Sequence, residues 1–219
     1  MKHLLTRLTA TTPTGAVVSS ATSLPVGTTT MMTQLLTSYF SKGTFPEGCF
    51  ISLPTFTYSS TSVTINLFYY LGPSSLASIS LESVQALSTS LSRLCGKPVH
   101  LVLTRLHYPY LNAYILAQYL AHNATSKTFL NFQEAILTYP SLNANVLPGH
   151  ITGIKVHLSG RLLTEALVPR ITTNTAVVGS FPQAALVDYA SYTTKNEIGT
   201  FTIKVWVGQS VLANLTPSL

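Results

Sequence analysis

Charge is what this chain has least of. Asp, Glu, Lys and Arg make up 8% of its 219 residues, against roughly a quarter in ordinary soluble domains. Acid is scarcer than base, six residues against twelve, which leaves a net charge of +6. So little self-repulsion keeps separate copies poorly apart in water, which points to a chain that works covered by partners. Mean hydropathy is positive, at +0.35, yet there is no run of 18 or more apolar residues and so no spanning helix. The longest candidate, 111–121, is short and interrupted by Asn112 and Gln118. The two cysteines, Cys49 and Cys95, lack a CxxC partner or histidines at ligand spacing, so no zinc site is expected. Small buried thiols in a reducing compartment are the simplest reading of them. Missing too are GxGxxG, the P-loop, HExxH and GxSxG. The acids stand singly and the six histidines are scattered. An enzyme, a cofactor and a metal are therefore not expected, unless a site assembles only in three dimensions.

What is present is concentrated in the last third. Residues 153–159 and 200–207 both alternate with period two, the mark of half-buried antiparallel strands. In the first, Ile154, Val156 and Leu158 share one face, and Lys155, His157 and Ser159 the other. In the second, Phe201, Ile203, Val205 and Val207 point one way, leaving Thr202, Lys204 and Trp206 outside. Each strand thus sets a lysine beside a ring on its non-core face, a surface suited to a nucleic-acid backbone. An ordinary solvated sheet face has the same pattern. The basic balance favours a polyanion, but its density is low. Contact with RNA would rest on few phosphate pairs and much apolar and backbone contact.

Upstream, residues 1–46 carry no acid before Glu47 and only Lys2, Arg7 and Lys42 as bases. Their Thr and Ser richness fits an import sequence or a flexible arm, and we take 1–27 as an arm. Apolar residues from 28 to 40, Met31, Met32, Leu35, Leu36, Tyr39 and Phe40, recur at helical spacing. Residues 50–58 read as a strand broken at Pro54, and 62–71 as a strand with Val63, Ile65, Leu67, Tyr69 and Leu71 on one face. Leu81, Val84, Leu87, Leu91 and Leu94 make an amphipathic helix stopped by Gly96 and Pro98. Residues 99–106 form a further strand. A turn at 107–110 leads into an apolar helix at 111–123, a second helix at 126–139 and an Asn-rich loop at 141–150. The closing sheet starts at Ile151, and 209–219 is a tail.

The wording of these segments carries a resemblance. Gly153-Ile154-Lys155-Val156-His157-Leu158-Ser159-Gly160-Arg161-Leu162, then Val187-Asp188-Tyr189, then Ile203-Lys204-Val205-Trp206, resembles the C-terminal domain of the small-subunit ribosomal protein three family. That family is the KH-domain protein of the mRNA entry channel. Lys97-Pro98-Val99-His100-Leu101, the run from Leu103 to Asn112, Val168-Pro169-Arg170 and Thr194-Lys195-Asn196 are similar to its fungal mitochondrial branch. The likeness covers about 48–208.

This resemblance implies an α+β protein: a degenerate type II KH-like domain at 28–106, then two helices on a four-stranded, mainly antiparallel sheet at 107–208. Helix, strand, strand, helix, strand is the KH order, although a plain α+β layer at 48–106 satisfies it as well. It implies a structural constituent of the mitochondrial small ribosomal subunit, in the matrix, at the head near the mRNA entry side. The implied partners are small-subunit ribosomal RNA, neighbouring ribosomal proteins and mRNA near the entry channel, with no membrane span. The implied RNA-binding residues are Lys155, Arg161, Arg170, Lys195 and Lys204. Three family features are missing, one of them the basic hairpin after Arg170, where residues 171–181 are wholly uncharged. The slot for the GXXG clip, which lets backbone approach phosphates, reads Gly72-Pro73-Ser74-Ser75-Leu76-Ala77-Ser78, with one glycine and no base. The family's basic second helix here reads Phe129-Leu130-Asn131-Phe132-Gln133-Glu134-Ala135, with only Lys127 nearby, so mRNA unwinding is not expected of it. A membrane-associated or protein-binding module without RNA is the alternative reading.

Overall fold

The computed structural model describes residues 5–11, 26–41, 49–72, 81–122, 149–160, 173–183, 185–197 and 199–211. They fall into two units, Met1–Tyr108 and Pro109–Leu219, and both mix helix and sheet, an α+β class.

In the first unit a five-stranded sheet is built around β4 (Val63–Leu71) and β5 (Val99–Leu106), which run parallel. Parallel neighbours need a crossover, and α2 (Leu81–Cys95) supplies it. Gly96 ends α2 at φ +65, its amide donating to the Ser92 carbonyl at 2.9 Å. This left-handed position suits a residue without Cβ. On the far side of β4, β2 (Cys49–Ile51) and β3 (Thr55–Tyr58) pair with different halves of the same strand. Pro54 has no N–H for the ladder, so the strand breaks there. Ser52 bridges the gap: its amide donates to the Phe68 carbonyl at 2.9 Å, and its hydroxyl accepts from the Phe68 amide at 3.0 Å. α1 (Val26–Ser41) lays Met32, Leu36 and Phe40 onto the core with Val84, Leu87 and Leu91 of α2 and the inward residues of β4 and β5.

The N-terminal stretch departs from the expected arm. Leu5–Thr11 forms β1, antiparallel along the free edge of β5. Threonine-rich sequence is as compatible with a strand as with low-complexity coil, and the open edge of β5 offers it a ladder of unpaired backbone groups.

In the second unit a 3-10 turn (Pro109–Leu111) enters α3 (Ala113–His122). The sheet comprises β6 (Gly149–Ser159), β7 (Thr173–Gly179), β8 (Leu186–Lys195) and β9 (Thr200–Val211), in the order β7-β6-β9-β8 and antiparallel throughout. β9 runs three residues beyond the expected end of the domain at 208. α3 packs on β8 and β9. The inward face carries Ile154, Val156, Leu158, Ala190, Phe201, Ile203, Val205 and Val207, all buried, as the alternation requires. The expected second helix at 126–139, the GXXG slot beyond Gly72, and Arg161 and Arg170 lie outside the described residues.

The amino end of α3 is satisfied donor by donor. Asn112 Oδ1 accepts from the Tyr114 and Ile115 amides, both at 3.1 Å, and the Asn112 carbonyl accepts from Leu116 at 3.0 Å. The remaining first-turn amide, that of Ala113, donates to Asp188 Oδ2 on β8 at 2.9 Å. A carboxylate there meets the positive end of the helix, so one side chain both caps α3 and ties it to the sheet. Tyr114 and Tyr192 meet edge to face beside it, ring centroids 6.1 Å apart.

Candidate nucleic-acid interface

The outer face of the second sheet is built from cross-strand rows. Register places Val177 of β7, Lys155 of β6, Trp206 of β9 and Tyr189 of β8 side by side. The next row holds Thr175, His157, Lys204 and Ser191, and the one after it Thr173, Ser159, Thr202 and Thr193. Lys195, opposite Thr200, follows on the same side of β8. Because alternation sends every second residue outward, Lys155, Lys204 and Lys195 share one face with Trp206, Tyr189 and His157.

These side chains interact across the strands. Lys155 Nζ sits 5.1 Å from the Trp206 ring centroid, a cation–π contact. The Tyr189 ring lies 5.1 Å from Trp206, tilted by 39°. His157 Nδ1 and Thr175 Oγ1 are 2.8 Å apart, and the Thr193 and Thr202 hydroxyls 2.9 Å. The β8–β9 turn is closed by the Asn196 amide on the Gly199 carbonyl at 2.8 Å and by the Gly199 amide on Asn196 Oδ1 at 2.9 Å, which fixes Lys195 at the lower corner.

The opposite end of the face is closed by glycines. Gly179, Gly153 and Gly208 lie side by side on β7, β6 and β9. A Cβ on Gly153 would stand 2.7 Å from the Ser180 carbonyl oxygen, and one on Gly208 would stand 3.0 Å from Phe181 Cδ1. The chain leaving β7 therefore folds back over bare backbone, with the Phe181 ring on Gly208.

The electrostatics of the face are one-sided. Of the acids among the described residues, Glu82 is in the first unit, Asp188 caps α3 from the inward face of β8, and Glu197 sits in the β8–β9 turn. None occupies an outward strand position between the rows. In the first unit Lys97 is only 3% exposed, Arg105 is partly buried, and Arg93 stands exposed in the last turn of α2. These cations lie on separate segments and are not gathered in rows on one sheet face as Lys155, Lys204 and Lys195 are.

Three of the five residues named from the sequence are thus brought together, and the two arginines lie outside the described residues. Sequence reading missed Tyr189 as a member of this face, and Asp188 as the cap of α3. Counting alternate residues back from Lys195 through Thr193 and Ser191 finds Tyr189; nothing local could have paired Asp188 with Ala113. Among the described residues no three His, Cys, Asp or Glu are grouped to hold a metal. No helix among them is long and apolar enough to cross a membrane.

A family profile described as "Mitochondrial ribosomal protein (VAR1)" matches residues 49–210. The chain is 48% identical over 181 residues to the small ribosomal subunit protein uS3m of Mycosarcoma maydis, a match covering 73% of this chain and 68% of that protein. It is 24% identical over 147 residues to the small ribosomal subunit protein uS3c of Coffea arabica, covering 65% of each.

Proposed function

We propose that this chain, which belongs to the mitochondrial ribosomal protein (VAR1) family, lies with the outward face of β6–β9 against small-subunit ribosomal RNA. As a member of that family it is a structural constituent of the mitochondrial small ribosomal subunit, and no enzyme. The observation that carries the choice of face is the gathering of Lys155, Lys195 and Lys204 on one sheet surface with no acid between them among the described residues. Phosphate neutralisation by few cations, completed by ring and hydroxyl contacts, suits a chain so poor in charge. Arg161 and Arg170 belong to the same proposed contact set through their match to the family wording.

The finer reading is a place in the head of the subunit, on the mRNA entry side, with ribosomal proteins on the apolar surfaces and mRNA passing nearby. The first unit is read as a KH-like scaffold that has lost its clip. Its helix, antiparallel pair, crossover helix and parallel strand support that reading, as does the single glycine in the slot after β4. Sedimentation of the tagged protein from an organelle lysate tests the assignment. Co-migration with small-subunit RNA that is lost on ribonuclease treatment is expected. Flotation with lipid would instead select a membrane-associated role.

A further inference from the structure

We infer that Tyr189 and Trp206 form a stacking platform for an unpaired nucleotide, with Lys155 and Lys204 placed for the flanking phosphates. The inference rests on the reading that this face meets RNA, and specifies what part of the RNA it meets.

Trp206 is held on two sides, by the Lys155 ammonium at 5.1 Å and by the Tyr189 ring at 5.1 Å. A ring fixed before its ligand arrives loses little further rotamer freedom on binding. Tyr189 is 51% exposed and stands on β8, the edge strand of the sheet. About half of the residue is thus accessible to solvent at the sheet edge. Lys204 lies opposite Ser191, two residues along β8 from Tyr189. That diagonal spans about 7–8 Å between Cα atoms, within reach of a long side chain. Rings next to cations, with acids absent from the outward strand positions, are the composition of a single-strand groove. A duplex keeps its bases inside its own stack and would meet only the lysines, whereas an unpaired base can lie on Tyr189. A protein partner would cover the rings but would need acids of its own for the lysines.

The chain has one tryptophan, so its emission reports this site alone. The full-length protein is titrated with an unstructured ten-nucleotide RNA, a blunt duplex of the same length and inorganic polyphosphate. The single strand is expected to quench Trp206 and to bind more tightly than the duplex. Tyr189→Leu, which keeps apolar bulk at an exposed position, should weaken the single strand by about 5- to 100-fold and leave duplex and polyphosphate within about twofold. Tyr189→Phe should bind like the unaltered chain. Equal affinity for single strand and duplex, or no effect of Tyr189→Leu on the single strand, overturns the platform. If Lys204→Ala still weakens every polyanion in that case, the RNA-facing sheet survives without it. If Lys204→Ala and Lys155→Ala change nothing either, the RNA-facing reading falls as well. Crosslinking of a photoreactive residue at position 189 to protein instead of RNA in intact small subunits would assign the rings to a protein neighbour and also overturn the inference.

Discussion

Replacing Asp188 by alanine tests how the second unit holds its helix. In the unaltered chain the three first-turn amides of α3 have side-chain acceptors, two on Asn112 and one on Asp188. Asp188→Ala leaves the Ala113 amide without its carboxylate and removes a negative charge from the positive helix end. Loss of a cap costs about 0.5–2 kcal/mol, and the charge–dipole part about 0.3–1 kcal/mol at an exposed site. Asp188 is exposed, so solvent takes over part of the lost bond and about 1–2 kcal/mol is expected in all. Asp188→Asn keeps an acceptor and gives up only the charge, for about 0.3–1 kcal/mol. Urea unfolding followed by Trp206 fluorescence reads this unit, since the only tryptophan is on β9. The order of midpoints should be unaltered, then Asn, then Ala, with the unaltered–Asn gap narrowing in salt. An Asp188→Ala midpoint equal to the original would refute the idea that this bond ties α3 to the sheet.

Binding of small-subunit RNA fragments should weaken with salt. Three lysines give a log–log slope of about 2–3, the two arginines raise it to about four, and each Lys→Ala removes close to one; a slope near zero would show that charge is not the means of attachment. Gly208→Ala forces a Cβ to within 3.0 Å of Phe181 Cδ1 and 2.8 Å of Thr152 Oγ1, so a loss of about 1–3 kcal/mol in urea unfolding is expected. Phe181→Ala in the same chain should recover part of it. Burial pushes the Cys49 thiol from 9.0 up to about 12. The folded chain keeps that proton while the unfolded one releases it from about pH 9, so Cys49 favours folding fully below pH 9 and loses this contribution as pH rises towards 12. Alkylation at pH 8 should mark the half-buried Cys49 far more slowly in the folded chain than after unfolding, and equal rates in the two states would contradict the raised pKa.

The most regular parts of the fold were legible because one physical cause dominated each. Alternation at 153–159 and 200–207 is set by a single buried face, and the structure buries Ile154, Val156, Leu158, Phe201, Ile203, Val205 and Val207 accordingly. The interruption at Pro54 follows from a missing N–H. Helix stripes were read less well at their ends: Val84, Leu87 and Leu91 are buried, but Leu81 in the first turn of α2 is 50% and Leu94 in its last turn 43% exposed. β1 was hidden because Leu5-Thr6-Arg7-Leu8-Thr9-Ala10-Thr11 has no clear apolar face and gains its partner only from β5, more than 85 residues on. At the candidate site, Lys155, Lys204 and Trp206 could be placed from period two alone. Tyr189 follows Leu186 and Val187, both exposed, and that apolar run masks the alternation of β8. The bond from Ala113 to Asp188 joins residues 75 apart, a pairing that only the folded topology creates.

Lysine reactivity in intact mitochondrial small subunits tests the central claim without altering the chain. Subunits are treated briefly with an amine-acylating reagent, before and after ribonuclease digestion, and modified lysines are read by mass spectrometry. Lys155, Lys195 and Lys204 should be protected in the intact subunit and react after digestion, while Lys97, 3% exposed in the folded chain, stays protected in both. Full reactivity of those three lysines in intact subunits would contradict the account, because the sheet face would then be open to water instead of lying on RNA.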